Sequence, residues 1–369
     1  MKLTCEKMIF GGFGLCRTKN GVVFCEGLIP KETAECVFIE KTGGISVFKA
    51  QKILEKSTER RDVFCEHFGI CGGCCWQFMN YETQVSCKKE IFESTFQRTG
   101  KIYDFCETDI FFDRETNYRI RANFSVDEKS AKIGFLHRKS HKVVEIKNCP
   151  LLSENLNLFL KNAPAPKVKN IAAIDTGSEL VTSLDKSVGE ISVGGYKFEV
   201  NGNSFFQSNR FLTEKIAKWC AEQVDFCENL FDIYGGVGLF SVFCGKKAKN
   251  ITLVEIDEKM VKSAERTFEI NSVLNAKSVA ASAENFFGGQ NVRPDCVIVD
   301  PPRIGLSKRI AQDIAKISPL KIIYISCNPT TQARDCNLFT NFGYKIRKTA
   351  VFDCYPNTFH IESGVVLEK

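Results

Sequence analysis

The stretch DIYGGVGLF, residues 232–240, decides the fold expected of this 369-residue chain. It follows an apolar run typical of a buried strand and opens a helical pattern, and its glycines let the backbone approach a ligand closely. Further apolar runs end in polar residues at NITLVEID (250–257), PDCVIVDPP (294–302) and LKIIYIS (320–326), with helical stretches between them. This alternation predicts a parallel, doubly wound α/β sheet, which binds its ligands beyond the carboxyl ends of the strands.

The end of the second of these strands indicates a nucleoside-bearing cofactor. Glu255 ends the strand that follows the glycine turn at Gly238, and a carboxylate at this position can accept both hydroxyl groups of a ribose. The GGxG spacing lacks the third glycine of a dinucleotide site, and it fits S-adenosylmethionine better than NAD. Two ordinary turns at strand ends are the alternative.

Three later motifs carry side chains suited to catalysis. In DPPR (300–303) two prolines fix the backbone and hold Asp300 and Arg303 in place. In SCNP (326–329) Cys327 follows a strand, where a thiol can be an exposed nucleophile of low pKa, although a lone cysteine is more often a packing residue. In PNTFHIE (356–362) the carboxylate of Glu362 can be a general base or a surface group.

Residues 1–55 alternate short β-prone runs with glycine turns, a pattern that predicts a small β-barrel. A helical pattern follows from residue 80, and strand-like alternation returns over residues 116–150. Within residues 114–147 nine basic side chains stand against four acidic ones, which is nearly the whole net charge of +6. On charge alone, an RNA-facing surface and a solvated sheet face both remain open.

The chain has 18 cysteines but no export signal and no apolar run long enough to cross a membrane. We therefore expect an intracellular, soluble protein whose thiols are mostly free. Cys65, Cys71 and Cys74 form one cluster, separated by five and two residues, and its glycines allow a tight wrap around a metal. A [4Fe-4S] cubane needs one more thiolate, and zinc bound by four thiolates is the alternative because spacing alone does not separate the two.

Taken in order, FFQ (205–207), DIYGGVGLF, VEID (254–257), DPPR, SCNP and HIE (360–362) resemble the motifs of the RNA uracil-5-methyltransferase family. Residues 1–55 resemble the TRAM domain, a small RNA-binding β-barrel, and the cysteine cluster resembles the iron-sulfur motif of the 23S ribosomal RNA branch. The resemblance implies an α/β fold with three domains. These are a TRAM-like barrel (1–55), a central β-rich iron-sulfur domain that contacts RNA (56–195) and a Rossmann-like methyltransferase domain (196–369). We expect the helical stretch 80–100 to pack on the last.

The resemblance also assigns roles residue by residue. It makes Cys327 the nucleophile that adds to carbon 6 of uracil and Glu362 the base that removes the carbon 5 proton. Cofactor contacts fall on four positions, namely Gln207, Tyr234, Glu255 and Asp300, while Phe205 packs on methionine or uracil. The fourth cluster ligand is Cys149, beside Cys65, Cys71 and Cys74, and Cys75 is an extra thiol outside the set.

The activity implied is methylation of uracil C5 in RNA, with S-adenosylmethionine and a [4Fe-4S] cluster as cofactors, by a cytoplasmic, monomeric protein without membrane contact. The barrel and the cluster favour 23S ribosomal RNA, because the transfer RNA branch generally lacks both. A transfer RNA T-loop methyltransferase and a non-catalytic RNA-binding protein are the alternatives. A radical methylthiotransferase needs CxxxCxxC, and the spacing begun by Cys71 and Cys75 meets Phe78.

One position departs from the family pattern. Gly235 stands where the family usually has a cysteine after the aromatic residue. Because that cysteine is not the nucleophile, the departure concerns local packing more than chemistry.

Overall fold

An N-terminal barrel opens the computed structural model, which describes residues 1–163, 168–185, 187–289 and 292–369. The barrel is closed by five strands in the order β1-β2-β3-β5-β4. They are β1 (Lys2–Met8), β2 (Gly14–Thr18), β3 (Gly21–Glu26), β4 (Thr33–Thr42) and β5 (Ile45–Glu55). Buried and exposed side chains alternate along β1, as a strand with one face on a barrel interior requires. The predicted small barrel is confirmed.

The central part of the chain holds a long helix, a five-stranded sheet of order β11-β10-β7-β8-β9 and a separate hairpin, β12-β13. Its elements are α1 (Tyr81–Arg98), β6 (Thr108–Phe111), β7 (Arg121–Asp127), β8 (Lys132–Leu136), β9 (Val143–Glu145), α2 (Glu154–Asn162), β10 (Asn170–Asp175), β11 (Leu180–Thr182), β12 (Val188–Val193) and β13 (Tyr196–Asn201). Helix α1 begins where the sequence pattern predicts it, because the side chain of Asn80 accepts a hydrogen bond from the backbone N–H of Thr83 at 2.9 Å.

The C-terminal part forms an eight-stranded sheet of order β16-β15-β14-β17-β18-β20-β19-β6. Its elements are α3 (Thr213–Glu222), β14 (Cys227–Ile233), α4 (Leu239–Phe243), β15 (Ala248–Glu255), α5 (Glu258–Ile270), β16 (Ala276–Ala280), α6 (Ala283–Gly288), β17 (Cys296–Val299), α7 (Lys308–Ile317), β18 (Lys321–Ser326), α8 (Pro329–Asn341), β19 (Lys345–Phe352) and β20 (Glu362–Glu368). No helix in the described part of the chain is long and apolar enough to span a membrane.

Strands β14 to β18 run parallel, as the alternating sequence pattern predicts, whereas β20 is antiparallel to its neighbours β18 and β19. The chain moves from β14 to β15 on one side and later to β17 on the other, so the strand order reverses at β14. A crevice opens beyond the carboxyl end at such a point, and it is the usual ligand site of open α/β sheets. The glycine turn at 235–238 lies there.

Two elements of the central part pack into the C-terminal part, one as an edge strand of its sheet and one against a helix. Strand β6 pairs in parallel with β19, where Ile110 stands opposite Val351. Helix α1 packs on α8, and Phe92 and Phe339 belong to one buried core. On the same helix, the buried ammonium group of Lys88 lies 2.5 Å from the carboxylate of Asp353. The central and C-terminal parts therefore share one sheet and one hydrophobic core.

Candidate active site

The glycine turn is held by a buried carboxylate at the end of β14. Oδ2 of Asp232 accepts hydrogen bonds from the backbone N–H and the hydroxyl group of Ser241, at 3.0 and 2.6 Å. Within the described residues its other oxygen, Oδ1, is buried without a hydrogen-bond partner. Burial raises the pKa of Asp232 to about 6. A cationic or N–H donor on a ligand at this edge would satisfy that oxygen.

The backbone of the turn explains the departure at Gly235. A Cβ atom at this position would lie 2.5 Å from Cγ of Leu253, closer than any real contact allows. Leu253 is completely buried in the neighbouring strand β15, so it has little room to move. Tyr234, Gly236 and Gly238 all have positive φ, and this tight path brings the backbone N–H groups to the crevice.

Glu255 lies at the end of β15, directly beside the glycine turn. Its Oε2 accepts a hydrogen bond from the N–H of Gly236 at 3.2 Å. Its Oε1 accepts from the N–H groups of Ile256 and Asp257, at 2.7 and 3.0 Å. The carboxylate is therefore fixed next to the crevice, where the sequence places a ribose ligand.

Gln207 approaches the same edge from the segment after β13. Its side chain is buried, and Nε2 donates to Oδ2 of Asp300 at 3.5 Å. Burial, with the nearby charge of Asp232 as a smaller cause, raises the pKa of Asp300 to about 7. Phe205 is exposed, and the guanidinium group of Arg121 lies over its ring, 5.4 Å from the centroid.

Cys327 lies between the end of β18 and α8, and Glu362 begins the neighbouring strand β20. Burial, with the charges of Glu362 and Asp300 as smaller causes, raises the pKa of the Cys327 thiol to about 12. The pKa of Glu362 is itself well above its usual range, because the group is buried and faces Asp300. The three side chains are thus near one another. The low thiol pKa expected from the sequence is not found in this state.

One cation offsets these carboxylates. The guanidinium group of Arg303 lowers the pKa of Cys327. Its Nη2 lies 3.2 Å from Nδ1 of His360, and its backbone carbonyl accepts a hydrogen bond from the side chain of Asn328 at 2.9 Å. Burial and Arg303 lower the pKa of His360 to about 4, so the ring is neutral at pH 7 and Nδ1 accepts from Arg303.

This contact of Arg303 and His360 was not predicted from the sequence. Both residues belong to quoted motifs, but they lie far apart along the chain. The only sequence signal for His360 is its place two residues before Glu362. Through the contact, the ends of β17, β18 and β20 are tied together around the thiol.

A groove of about 790 Å³ leads away from the site. It is lined by Arg303 and His360 and by Arg119, Arg138 and Lys139, of which the last two follow β8. Basic side chains along a groove suit the phosphate backbone of a nucleic acid. Part of the positively charged segment 114–147 therefore faces the groove.

The four predicted cluster cysteines line one cavity. Cys65, Cys71, Cys74 and Cys149 share it with apolar side chains such as Phe68 and Phe135. Burial raises the pKa of three of these thiols, Cys71, Cys74 and Cys149. Among the residues that the structure describes, however, no group of three or more His, Cys, Asp or Glu side chains is arranged to hold a metal ion. The iron-sulfur assignment stays a prediction.

Comparisons with known proteins agree with this fold and place the chain in a family. The model of the tRNA (uracil-5-)-methyltransferase family matches residues 168–369. An "uncharacterized RNA methyltransferase" of Aquifex aeolicus is 30% identical, covering 100% of this chain and 98% of the relative. The 23S rRNA (uracil(1939)-C(5))-methyltransferase RlmD of Vibrio parahaemolyticus is 28% identical, covering 99% of this chain and 95% of the relative.

A solved structure has the same fold over its whole length. The crystal structure of Pyrococcus abyssi tRNA (uracil-54, C5)-methyltransferase in complex with S-adenosyl-L-homocysteine has a TM-score of 0.76, with 100% of both chains covered. Its sequence identity to this chain is 22%, so the similarity establishes the fold.

Proposed function

The chain belongs to the tRNA (uracil-5-)-methyltransferase family and is a methyltransferase, and from this premise we propose that it methylates C5 of a uracil in 23S ribosomal RNA. The observation that carries the proposal is the convergence of Cys327, Glu362 and Asp300 at one sheet edge. The choice of RNA is supported by relatives named for 23S ribosomal RNA that match this chain along almost its whole length.

The crevice beyond β14 and β15 fits S-adenosylmethionine. Glu255 can accept the ribose hydroxyl groups, and the unpartnered oxygen of Asp232 suits a cationic group. Tyr234 lines the turn, while Gln207 and Asp300 lie at the end nearest to Cys327. When bound, S-adenosylmethionine supplies an electrophilic methyl group. The chain's own residues must make uracil C5 nucleophilic.

Cys327 supplies that activation. Its thiolate adds to C6 of uracil, the Sγ–C6 bond forms and the electron pair moves to C5, which would take the methyl group of S-adenosylmethionine and leave S-adenosylhomocysteine. Glu362 removes the proton from C5, and the returning electron pair breaks the Sγ–C6 bond and frees Cys327. Arg303 favours the thiolate at the start and at the end, since its charge lowers the thiol pKa.

The target base must leave its stack to reach Cys327, at a cost of a few kcal/mol. The groove beside Arg303 and His360 offers compensating contacts, because Arg119, Arg138 and Lys139 can bind the phosphates of the flanking nucleotides.

We also propose that Cys65, Cys71, Cys74 and Cys149 hold a [4Fe-4S] cluster. Their position around one cavity supports this, as does the apolar lining of that cavity. A single zinc ion draws four sulfurs to within about 2.3 Å of one point, whereas a cubane is bound at its separate corners. The role of the cluster is structural, since methyl transfer of this kind moves no electron to the protein.

The test is methylation in vitro with S-adenosylmethionine labelled in its methyl group. Transcripts of 23S ribosomal RNA and of transfer RNA are offered separately, and digested nucleosides are separated by mass. We expect label in 5-methyluridine from the 23S transcript. Label confined to the transfer RNA T-loop would retain the chemistry and overturn the substrate, and label in neither RNA would overturn the function.

A further inference from the structure

Three parts of the chain meet at the loop that precedes Glu362 in the sequence, at a place that no step of methyl transfer uses. Gly12 comes from the barrel, Cys75 and Trp76 follow the predicted cluster motif, and Asn357 and Phe359 belong to the loop before Glu362. We call these five residues the junction.

Asn357 is the centre of the junction. It is completely buried and has a φ of +66°. Its carbonyl accepts hydrogen bonds from the N–H groups of Cys75 and Trp76, at 3.0 and 3.1 Å. Its own N–H donates to the side chain of Gln84 at 2.7 Å. The backbone of the catalytic loop is thereby bonded to the loop that carries the cluster cysteines.

The side chain of Asn357 completes the network. Its Oδ1 accepts from Arg61 at 3.0 Å and from Gln84 at 3.2 Å, and its Nδ2 donates to the carbonyl of Glu115 at 3.1 Å. Every polar group of the residue thus bonds to the central part of the chain. An asparagine also tolerates positive φ better than most residues do, so side chain and backbone geometry agree.

The barrel closes the junction from the other side. The indole N–H of Trp76 donates to the carbonyl of Gly12 at 3.2 Å. A Cβ atom at Gly12 would lie 3.1 Å from Phe359 and 3.3 Å from the sulfur of Cys75, so only glycine fits without displacing a neighbour. Phe10 adds an edge-to-face contact with Phe359, with ring centroids 5.6 Å apart.

Other contacts hold the first half of the catalytic loop (residues 353–361): Asn209 donates to the carbonyls of Asp353 and Cys354, and the hydroxyl group of Tyr118 donates to the carbonyl of Pro356 at 3.3 Å. The residues between β19 and β20 form no strand or helix, and they carry His360 and lead into Glu362. We propose that Asn357 is a positioning residue that couples the cysteine-bearing loop to the catalytic loop, so that order in one places His360 and Glu362 in the other. This inference rests on the proposed function, and it gives a structural cluster a route to catalysis without electron transfer.

The coupling predicts a specific kinetic defect. If the loop loosens, Cys327 after β18 still adds to uracil, but Glu362 no longer meets the C5 proton, and the methylated adduct cannot break down. A misplacement of about 1 Å costs roughly 10²-fold in rate. Asn357→Gly tests this, because glycine keeps the positive φ and the backbone hydrogen bonds to Cys75 and Trp76, and it removes the side chain that binds Arg61, Gln84 and Glu115.

The matched control is Asn275→Gly. Asn275 lies just before β16, and its Nδ2 bridges the carbonyls of Gly245 and Ala248 at 2.8 and 2.7 Å. This substitution also removes an amide that bridges two backbone carbonyls. Asn275, however, lies at the amino ends of the parallel strands, whereas Cys327 lies at their carboxyl ends. The full-length proteins are compared in single-turnover methylation of 23S transcript and in alkylation by iodoacetamide without RNA.

We expect Asn357→Gly to lower product release by about 10²-fold. A covalent protein–RNA species should accumulate, the Kd for S-adenosylmethionine should stay unchanged, and Cys75 should alkylate faster than in Asn275→Gly. Release at the wild-type rate, or equal losses in both variants, would overturn the coupling. If the wild-type protein methylates no RNA, the proposed function fails, and the alkylation of Cys75 still decides whether the junction couples the loops.

Discussion

The catalytic edge (residues 232–362) and the cysteine-bearing region (residues 65–149) are assembled in different ways. At the catalytic edge, β14, β15, β17 and β18 are parallel neighbours, so the residues that follow them must meet. In the cysteine-bearing region, Cys149 joins Cys74 although a helix and four strands lie between them in the chain. The comparison teaches that motif order locates a site where the topology is regular, and that elsewhere only long-range packing does.

The strongest test of the catalytic edge is Cys327→Ala. Without the thiolate, C5 of uracil is not activated, and methylation should fall by at least about 10⁴-fold. Binding of S-adenosylmethionine, measured by calorimetry, should be retained because Cys327 is not among its expected contacts. A variant with more than a few per cent of wild-type activity would contradict the role of Cys327.

Glu362→Gln should have the next largest effect on turnover. The amide keeps the size of the side chain but cannot take the C5 proton, so kcat should fall by about 10²- to 10⁴-fold. An adduct between Cys327 and methylated RNA should persist on a denaturing gel. Loss of activity with no such adduct would assign Glu362 to an earlier step.

Lys88→Met tests how firmly the two regions share a core. The ammonium group of Lys88 is buried against Asp353 and also donates to the carbonyl of Tyr355 at 2.9 Å. Its removal leaves a buried carboxylate unpaired, so the free energy of unfolding, measured by urea titration, should fall by about 3–5 kcal/mol. The exposed pair of Arg266 and Glu269 is the control, and Arg266→Met should cost less than about 1 kcal/mol.

Cys74→Ser should change the iron content of the cysteine-bearing region without changing cofactor binding at the catalytic edge. Iron content and visible absorption should fall to background, while the Kd for S-adenosylmethionine should change by less than about twofold, since the crevice lies elsewhere. Cys106, which is exposed, provides Cys106→Ser as the control with full iron content. Full iron in Cys74→Ser would remove this residue from the proposed ligand set.

The smallest effect expected is a displaced pH profile in Arg303→Ala. The reactive form of Cys327 is the thiolate, so kcat/KM should rise with pH. Because burial raises the pKa of the thiol, this rise should occur at high pH. Arg303 lowers the thiol pKa, so its removal should move the rise to higher pH. Arg303→Lys should restore most of the shift. An unchanged profile in Arg303→Ala would contradict this role.

Part of the fold could be predicted from the sequence. The sheet, the barrel, α1 and the crevice at 235–238 follow from local periodicity, glycine placement and capping, which act over short stretches of chain. Strand β6 adds to the sheet beside β19, although β7 to β18 all lie between these two strands in the chain, and no local pattern encodes that pairing. The domain limits of 1–55, 56–195 and 196–369 stay a prediction.

The site divides in the same way. The sequence places the candidate residues of the catalytic edge because they belong to the quoted motifs, most of which lie at strand ends, and their roles stay predictions. The packing of Leu253 against Gly235, the contact of Arg303 with His360 and the network around Asn357 were not predicted. Each depends on a side chain from another element, and its position is set by the tertiary fold alone.

The most direct test of the central claim is mass mapping of 5-methyluridine in ribosomal and transfer RNA from cells with and without this gene. Cells that carry Cys327→Ala are included. The account predicts that defined 23S positions lose the methyl group without the gene, regain it with the wild-type protein and do not regain it with Cys327→Ala. Unchanged 23S ribosomal RNA, or full restoration by Cys327→Ala, would contradict it.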